Sequence, residues 1–217
     1  MATEGWYVDD VVVKACTPLP PTTTSLSSSN DPSVFGQGTM LTATVSGGSG
    51  TATGSVTFHD GASVLGTTVL SGGVATLALT SLSVGSHALS AVYSGDSVYG
   101  GSSGNDAHTV NKADTSVAIT DTPDPAFQGS PVTISATLLP QAPGAGVASG
   151  SIIVSATHSA GCVIVLPATS CDLTFTTAGA QTVDANYSGD GNFNAATAPQ
   201  IDHQSDQSAI FGDGFET

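Results

Sequence analysis

Leu89-Ser90-Ala91-Val92-Tyr93-Ser94-Gly95-Asp96 decides how this chain is read, because its last four residues return unchanged as Tyr187-Ser188-Gly189-Asp190. Ahead of the second copy stands Val183-Asp184-Ala185-Asn186, which repeats the alternation of apolar and polar residues. A period of two marks a strand with one buried face. Further out, Thr24-Ser25-Leu26 returns as Thr115-Ser116-Val117, and Gln37-Gly38 as Gln128-Gly129, both 91 residues on. The Tyr-Ser-Gly-Asp turn returns after 94, and a longer loop at Gln141–Val147 takes up most of the difference. The chain therefore reads as two copies of a unit of about 90 residues, each large enough for its own core.

Both copies keep the same parity. Leu41, Ala43 and Val45 in the first answer to Val132, Ile134 and Ala136 in the second. Val56 and Phe58 answer to Ile152 and Val154, and Leu89, Ala91 and Tyr93 to Val183, Ala185 and Tyr187. Asp60-Gly61 and Gly72-Gly73 are hairpin signals, since these residues tolerate positive φ. No stretch carries a helical apolar stripe. About seven short strands per copy, apolar on one side and Ser/Thr on the other, predict an all-β chain of two tandem two-sheet sandwiches. The expected domains are residues 22–111 and 112–204. Residues 1–21 read as the last strand of an upstream domain plus a Pro-rich linker, and 205–217 as a flexible tail.

Composition excludes several functions. The 217 residues include 17 acidic and 2 basic side chains, for a net charge of -15, and there is no arginine. Two lysines cannot neutralise a phosphate backbone, so nucleic acid is excluded as a partner. Anionic membranes would repel the chain, and no apolar run approaches the ~18 residues that span a bilayer. Met1–Asp10 is acidic where an export leader would be basic and then apolar.

The stretches Gly54–Gly61 (Gly-Ser-Val-Thr-Phe-His-Asp-Gly), Gly73–Leu77 and Val84–Asp96 resemble the bacterial Ig-like domain of group 3. The likeness covers about 22–111 and, more loosely, 113–204. The second copy replaces the Asp-Gly hairpin with Thr157–Gly161 and adds two cysteines. The resemblance implies immunoglobulin-like sandwiches in secreted or surface-attached bacterial proteins, usually spacers or adhesive stalks. Gly5–Val11 is similar to the closing strand of sandwich domains appended to secreted peptidases, and Ile210–Glu216 to a tail of exported bacterial proteins.

Eight residues separate Cys162 from Cys171, with Leu166–Ser170 at the bend. That even spacing can place the two opposite each other across a hairpin, predicting a disulfide of ~2.7 kcal/mol; the alternative is two buried thiols. Cys16 is then left over, and an upstream domain is its expected partner. Gly100-Gly101-Ser102-Ser103-Gly104 matches the nucleophile elbow of hydrolases, but that elbow needs a following helix, and a strand is expected there. In the repeated turns, Tyr93 and Tyr187 fall on the inward parity, where each hydroxyl is expected to find a backbone partner. Gly95 and Gly189 permit the turn, and Asp96 and Asp190 can accept its N–H groups.

No cofactor is expected, with calcium the one ion worth testing. Asp190-Gly191-Asn192-Phe193-Asn194 copies the first three ligand positions of a calcium loop, yet Ala195 and Ile201 stand where glycine and the bidentate glutamate belong. An EF-hand is excluded, and a site at the sandwich end using Asp96, Asp190 or Asn192 is left. Of the five histidines, His87 and His108 are expected to be surface or half-buried, and none has metal-ligand spacing. Trp6 has no aromatic company for a sugar platform. The expected role is a non-catalytic spacer or stalk of an exported protein, extracellular or surface-attached, with its partners an upstream domain and an extracellular glycan or protein. The alternative is a carbohydrate- or calcium-dependent binding module appended to a secreted hydrolase or peptidase.

Overall fold

The computed structural model describes residues 17–207 except Ser49 and Ser81. Trp6, Cys16, the Gly5–Val11 strand and the Ile210–Glu216 tail lie outside the described residues. Among the described residues all regular structure is β. The first copy holds β1 (Thr23–Ser28), β2 (Ser33–Val34), β3 (Thr39–Ser46), β4 (Ser55–Asp60), β5 (Ser63–Val69), β6 (Val74–Leu79), β7 (Gly85–Tyr93) and β8 (Ser102–Asn111). The second holds β9 (Thr115–Thr122), β10 (Ala126–Phe127), β11 (Pro131–Pro140), β12 (Ser151–Ala156), β13 (Cys162–Val165), β14 (Ser170–Thr174), β15 (Gly179–Tyr187), β16 (Ala196–Thr197) and β17 (Ile201–Asp206).

The sheet orders are the same in both copies: β1-β3-β6 with β2-β8-β7-β4-β5, then β9-β11-β14 with β10-β17-β15-β12-β13. The one addition is β16, which pairs with β15. The alternating residues fill the cores. Leu41, Ala43, Val56, Phe58, Ala91 and Tyr93 are buried in the first copy, and Val132, Ile134, Ile152, Val154, Ala185 and Tyr187 in the second.

Asp60 pairs with Ser63 around a Gly61 of positive φ, so the Asp-Gly signal makes the β4–β5 hairpin. The Gly72-Gly73 signal makes only one bridge, Ser71 to Val74, before the chain crosses to the other sheet. Packing groups 28–41, 78–89 and 106–207 into one compact unit, and 17–27, 42–77 and 90–105 into another. In the former, Phe35 meets Phe193 edge-on at 5.5 Å, and the Ala145 N–H donates to the Phe35 carbonyl.

Candidate functional site

The repeated turns place Asp96 and Asp190 under equivalent loops. The Asp96 Oδ1 accepts the N–H groups of Val98 (2.7 Å) and Tyr99 (2.8 Å), and Oδ2 accepts the Thr53 N–H (2.8 Å) and hydroxyl (2.7 Å). In the second copy Asp190 Oδ1 accepts from Asn192 and Phe193 (both 2.8 Å), and Oδ2 from the Ser149 N–H (2.7 Å) and hydroxyl (2.8 Å). A carboxylate offers about four lone-pair sites, and all four are used at each turn. The Thr53 hydroxyl, with backbone N–H donors behind it, holds Asp96 well below the usual carboxylate range. For Asp190, burial works against ionisation but is outweighed by the Ser149, Asn192 and Phe193 donors, and its pKa falls to about 2.

Gly95 (φ 86°) and Gly189 (φ 78°) let the backbone double back. A Cβ there would sit 2.8 Å from the Tyr99 carbonyl oxygen, or 2.9 Å from that of Phe193. The tyrosines differ from expectation in one copy. Tyr187 donates to the Ser149 carbonyl at 2.9 Å, and burial, followed by the charge of Asp190, pushes its pKa up to about 12. The buried Tyr93 hydroxyl has no partner of hydrogen-bonding geometry; burial raises its pKa too. The Asn192 backbone carbonyl accepts from Ala113, and so helps seat the start of β9.

Cys162 and Cys171 are disulfide-bonded, with Cα atoms 6.1 Å apart. The bridge is not the expected hairpin rung. Cys162 lies opposite Val154 on β12 and Cys171 opposite Ile134 on β11, so the disulfide joins one sheet to the other. Residues 166–169 carry the chain between the sheets, and an eight-residue gap fits that crossing as well as a hairpin. In the first copy Gly66 holds the place of Cys162, opposite Phe58, and a Cβ on it would touch Leu77 at 3.1 Å. An apolar contact closes that edge where the second copy has sulfur.

Ser102, the formal elbow serine, begins β8 and exchanges hydrogen bonds with Thr22 (2.8 Å) and Thr24 (2.7 Å). Among the described residues no helix follows it.

His87 and His108, expected at the surface or half-buried, are buried. His87 Nε2 lies 2.9 Å from the Ser83 carbonyl oxygen. His108 and His203 are each 1% exposed, on the inward faces of β8 and β17. His108 Nδ1 lies 3.0 Å from Ser28 Oγ, and Nε2 lies 2.8 Å from Ser33 Oγ. His203 Nδ1 instead meets Asp121 Oδ2 at 2.6 Å and Asp124 Oδ1 at 3.5 Å, while its Nε2 has no partner. Ala126 explains that orphan nitrogen. It pairs in parallel with Ser205, as Ser33 pairs with Val110, so the serine hydroxyl of the first copy is missing there. Strand parity was the available signal: His108 is two residues before the inward Val110.

The family model of the bacterial Ig-like domain (group 3) matches residues 26–111 and again 119–204, and the chain belongs to that family. Fibronectin(III)-like modules of CbhA from Clostridium thermocellum are similar at 15% identity and a TM-score of 0.39, over 88% of this chain and 100% of that one. The Yersinia pseudotuberculosis adhesin InvE is similar at 10% identity and a TM-score of 0.41, over 84% of this chain and 58% of that one. The Escherichia coli adhesin FdeC is similar at 13% and 0.33, over 84% and 64%. A search of curated proteins returned no match.

Proposed function

We propose that this chain is a non-catalytic spacer or stalk region of an exported bacterial protein, extracellular or surface-attached, that presents a neighbouring domain. The observation that carries this reading is the duplicated turn clamp. Asp96 and Asp190, the most suggestive acids in the sequence, each spend four acceptor sites on their own loops. A ligand such as calcium would have to displace those donors, so the same residues serve better as fasteners than as a binding site. Membership of the bacterial Ig-like family supports a structural or adhesive role. The intersheet disulfide fits an oxidising compartment. Phe35, packed on Phe193 and the Gln141–Val147 loop, ties the end of one repeat to the next, as a spacer requires.

A glycan array probed with and without calcium tests the reading. A spacer gives no reproducible sugar signal in either condition. Calcium-dependent sugar binding, lost on Asp190→Asn, would replace it with the carbohydrate-module alternative.

A further inference from the structure

We propose that Asp121, Asp124 and His203 form a binding site for a divalent ion of the zinc type, held by the ring Nδ1 and one oxygen from each carboxylate. The three ligand atoms lie within 4.8 Å of one another. Both carboxylates converge on a single ring nitrogen, at 2.6 and 3.5 Å, and one ring proton can satisfy only one of them. The pair is left with an excess of negative charge. Among the described residues the one lysine, Lys112, does not supply the balance, since it donates to the Asp190 carbonyl. A divalent ion in place of the proton neutralises both acids at once.

The donor set selects the ion. An imidazole with two carboxylates suits zinc and its neighbours, whereas calcium prefers oxygen alone. The ring is held in place, buried and stacked on Phe175 at 4.5 Å and 12°. Asp121 is nearly covered, while the Asp124 side chain is 39% exposed and leaves a way in. Zinc ligands stand about 3.3 Å apart around the ion, so the His203–Asp121 contact of 2.6 Å must open by about 0.7 Å. Binding at Nδ1 shifts the one ring proton to Nε2, the nitrogen left without a partner, so the ring stays neutral and no net proton is released. Ser205, two residues on along the same inward face of β17, has a buried hydroxyl that is also unpartnered. The first copy serves as an internal control: it keeps one carboxylate, Asp31, 3.7 Å from His108 Nδ1, but Ser28 stands where Asp121 would be and donates to Asp106 at 2.6 Å.

Titration of chelator-stripped protein with zinc, followed by calorimetry in buffers of different ionisation enthalpy, tests the site. One ion per chain is expected, with no net proton release and therefore a binding enthalpy independent of the buffer, and visible ligand-field bands when cobalt replaces zinc. Asp121→Ser, which copies the first repeat, should weaken zinc binding at least tenfold. So should Asp124→Asn, whose amide oxygen can still accept the Gln204 N–H and so keeps the loop. Absence of binding at millimolar zinc would overturn the proposal. Binding that both variants leave unchanged would overturn it equally, because the ion would then sit elsewhere.

Discussion

The two sandwiches share one plan and differ where each is fastened. Their turn clamps match donor for donor, from Thr53 and Ser149 to the backbone N–H groups beyond each aspartate. Away from the clamps they diverge. The second copy closes its sheet-to-sheet edge with Cys162–Cys171, where the first places Gly66 under Leu77. It sets Asp121 against its buried histidine where the first has Ser28, while Asp31 and Asp124 lie 3.7 and 3.5 Å from the ring in the two copies. It pairs its core tyrosine hydroxyl, and the first does not. What the copies share defines the fold; what differs adjusts the strength and chemistry of each module.

The largest expected effect tests the shared part. Gly95→Ala and Gly189→Ala each combine a positive φ with a contact under 3 Å to a carbonyl oxygen, and should cost about 3 kcal/mol by thermal or denaturant unfolding. Equal losses would confirm that the clamps are equivalent; a loss in one copy only would break the comparison. Next, Cys162→Ala with Cys171→Ala should destabilise the second copy by about 2.7 kcal/mol and leave the first unmoved, as read by hydrogen exchange of each core.

A smaller pair of changes exchanges the histidine environments. Ser33→Ala should cost about 1 kcal/mol by stranding His108 Nε2, and Ala126→Ser should return about 1 kcal/mol by giving His203 Nε2 a hydroxyl. Smallest are the tyrosines. Tyr187→Phe removes a formed hydrogen bond, worth about 1 kcal/mol, whereas Tyr93→Phe should shift stability by less than about 0.5 kcal/mol. Equal effects at the two positions would show that the hydroxyls are equivalent after all.

Much of this was legible in the sequence because a strand shows its buried face at every second residue. Leu41, Ala43 and Val45 needed no partner to be placed, and Gly95 with Asp96 announced a turn. The far side of each clamp was not legible. Thr53 and Ser149 lie more than 40 residues before their aspartates, and nothing local marks them as donors. The disulfide pairing could be read from spacing, but not its position, since a gap of eight residues suits a hairpin or a change of sheet. The buried histidines were missed because their strands are mostly polar. Between Asp106 and Val110, or Ile201 and Ser205, alternation of apolar residues is too sparse to fix which side faces in. His203 becomes visible as a site only when β9, β10 and β17 bring residues about 80 apart into contact.

Single-molecule stretching tests the central claim most directly, that two like modules stand in tandem and only the second is stapled across its sheets. The account predicts two unfolding steps under oxidising conditions. Reductant should lengthen one of them by about 25 Å, the extended length of the segment between Cys162 and Cys171, which are 9 residues apart, less the 6.1 Å that the disulfide already spans. One cooperative step, or two steps whose lengths ignore reductant, would contradict it.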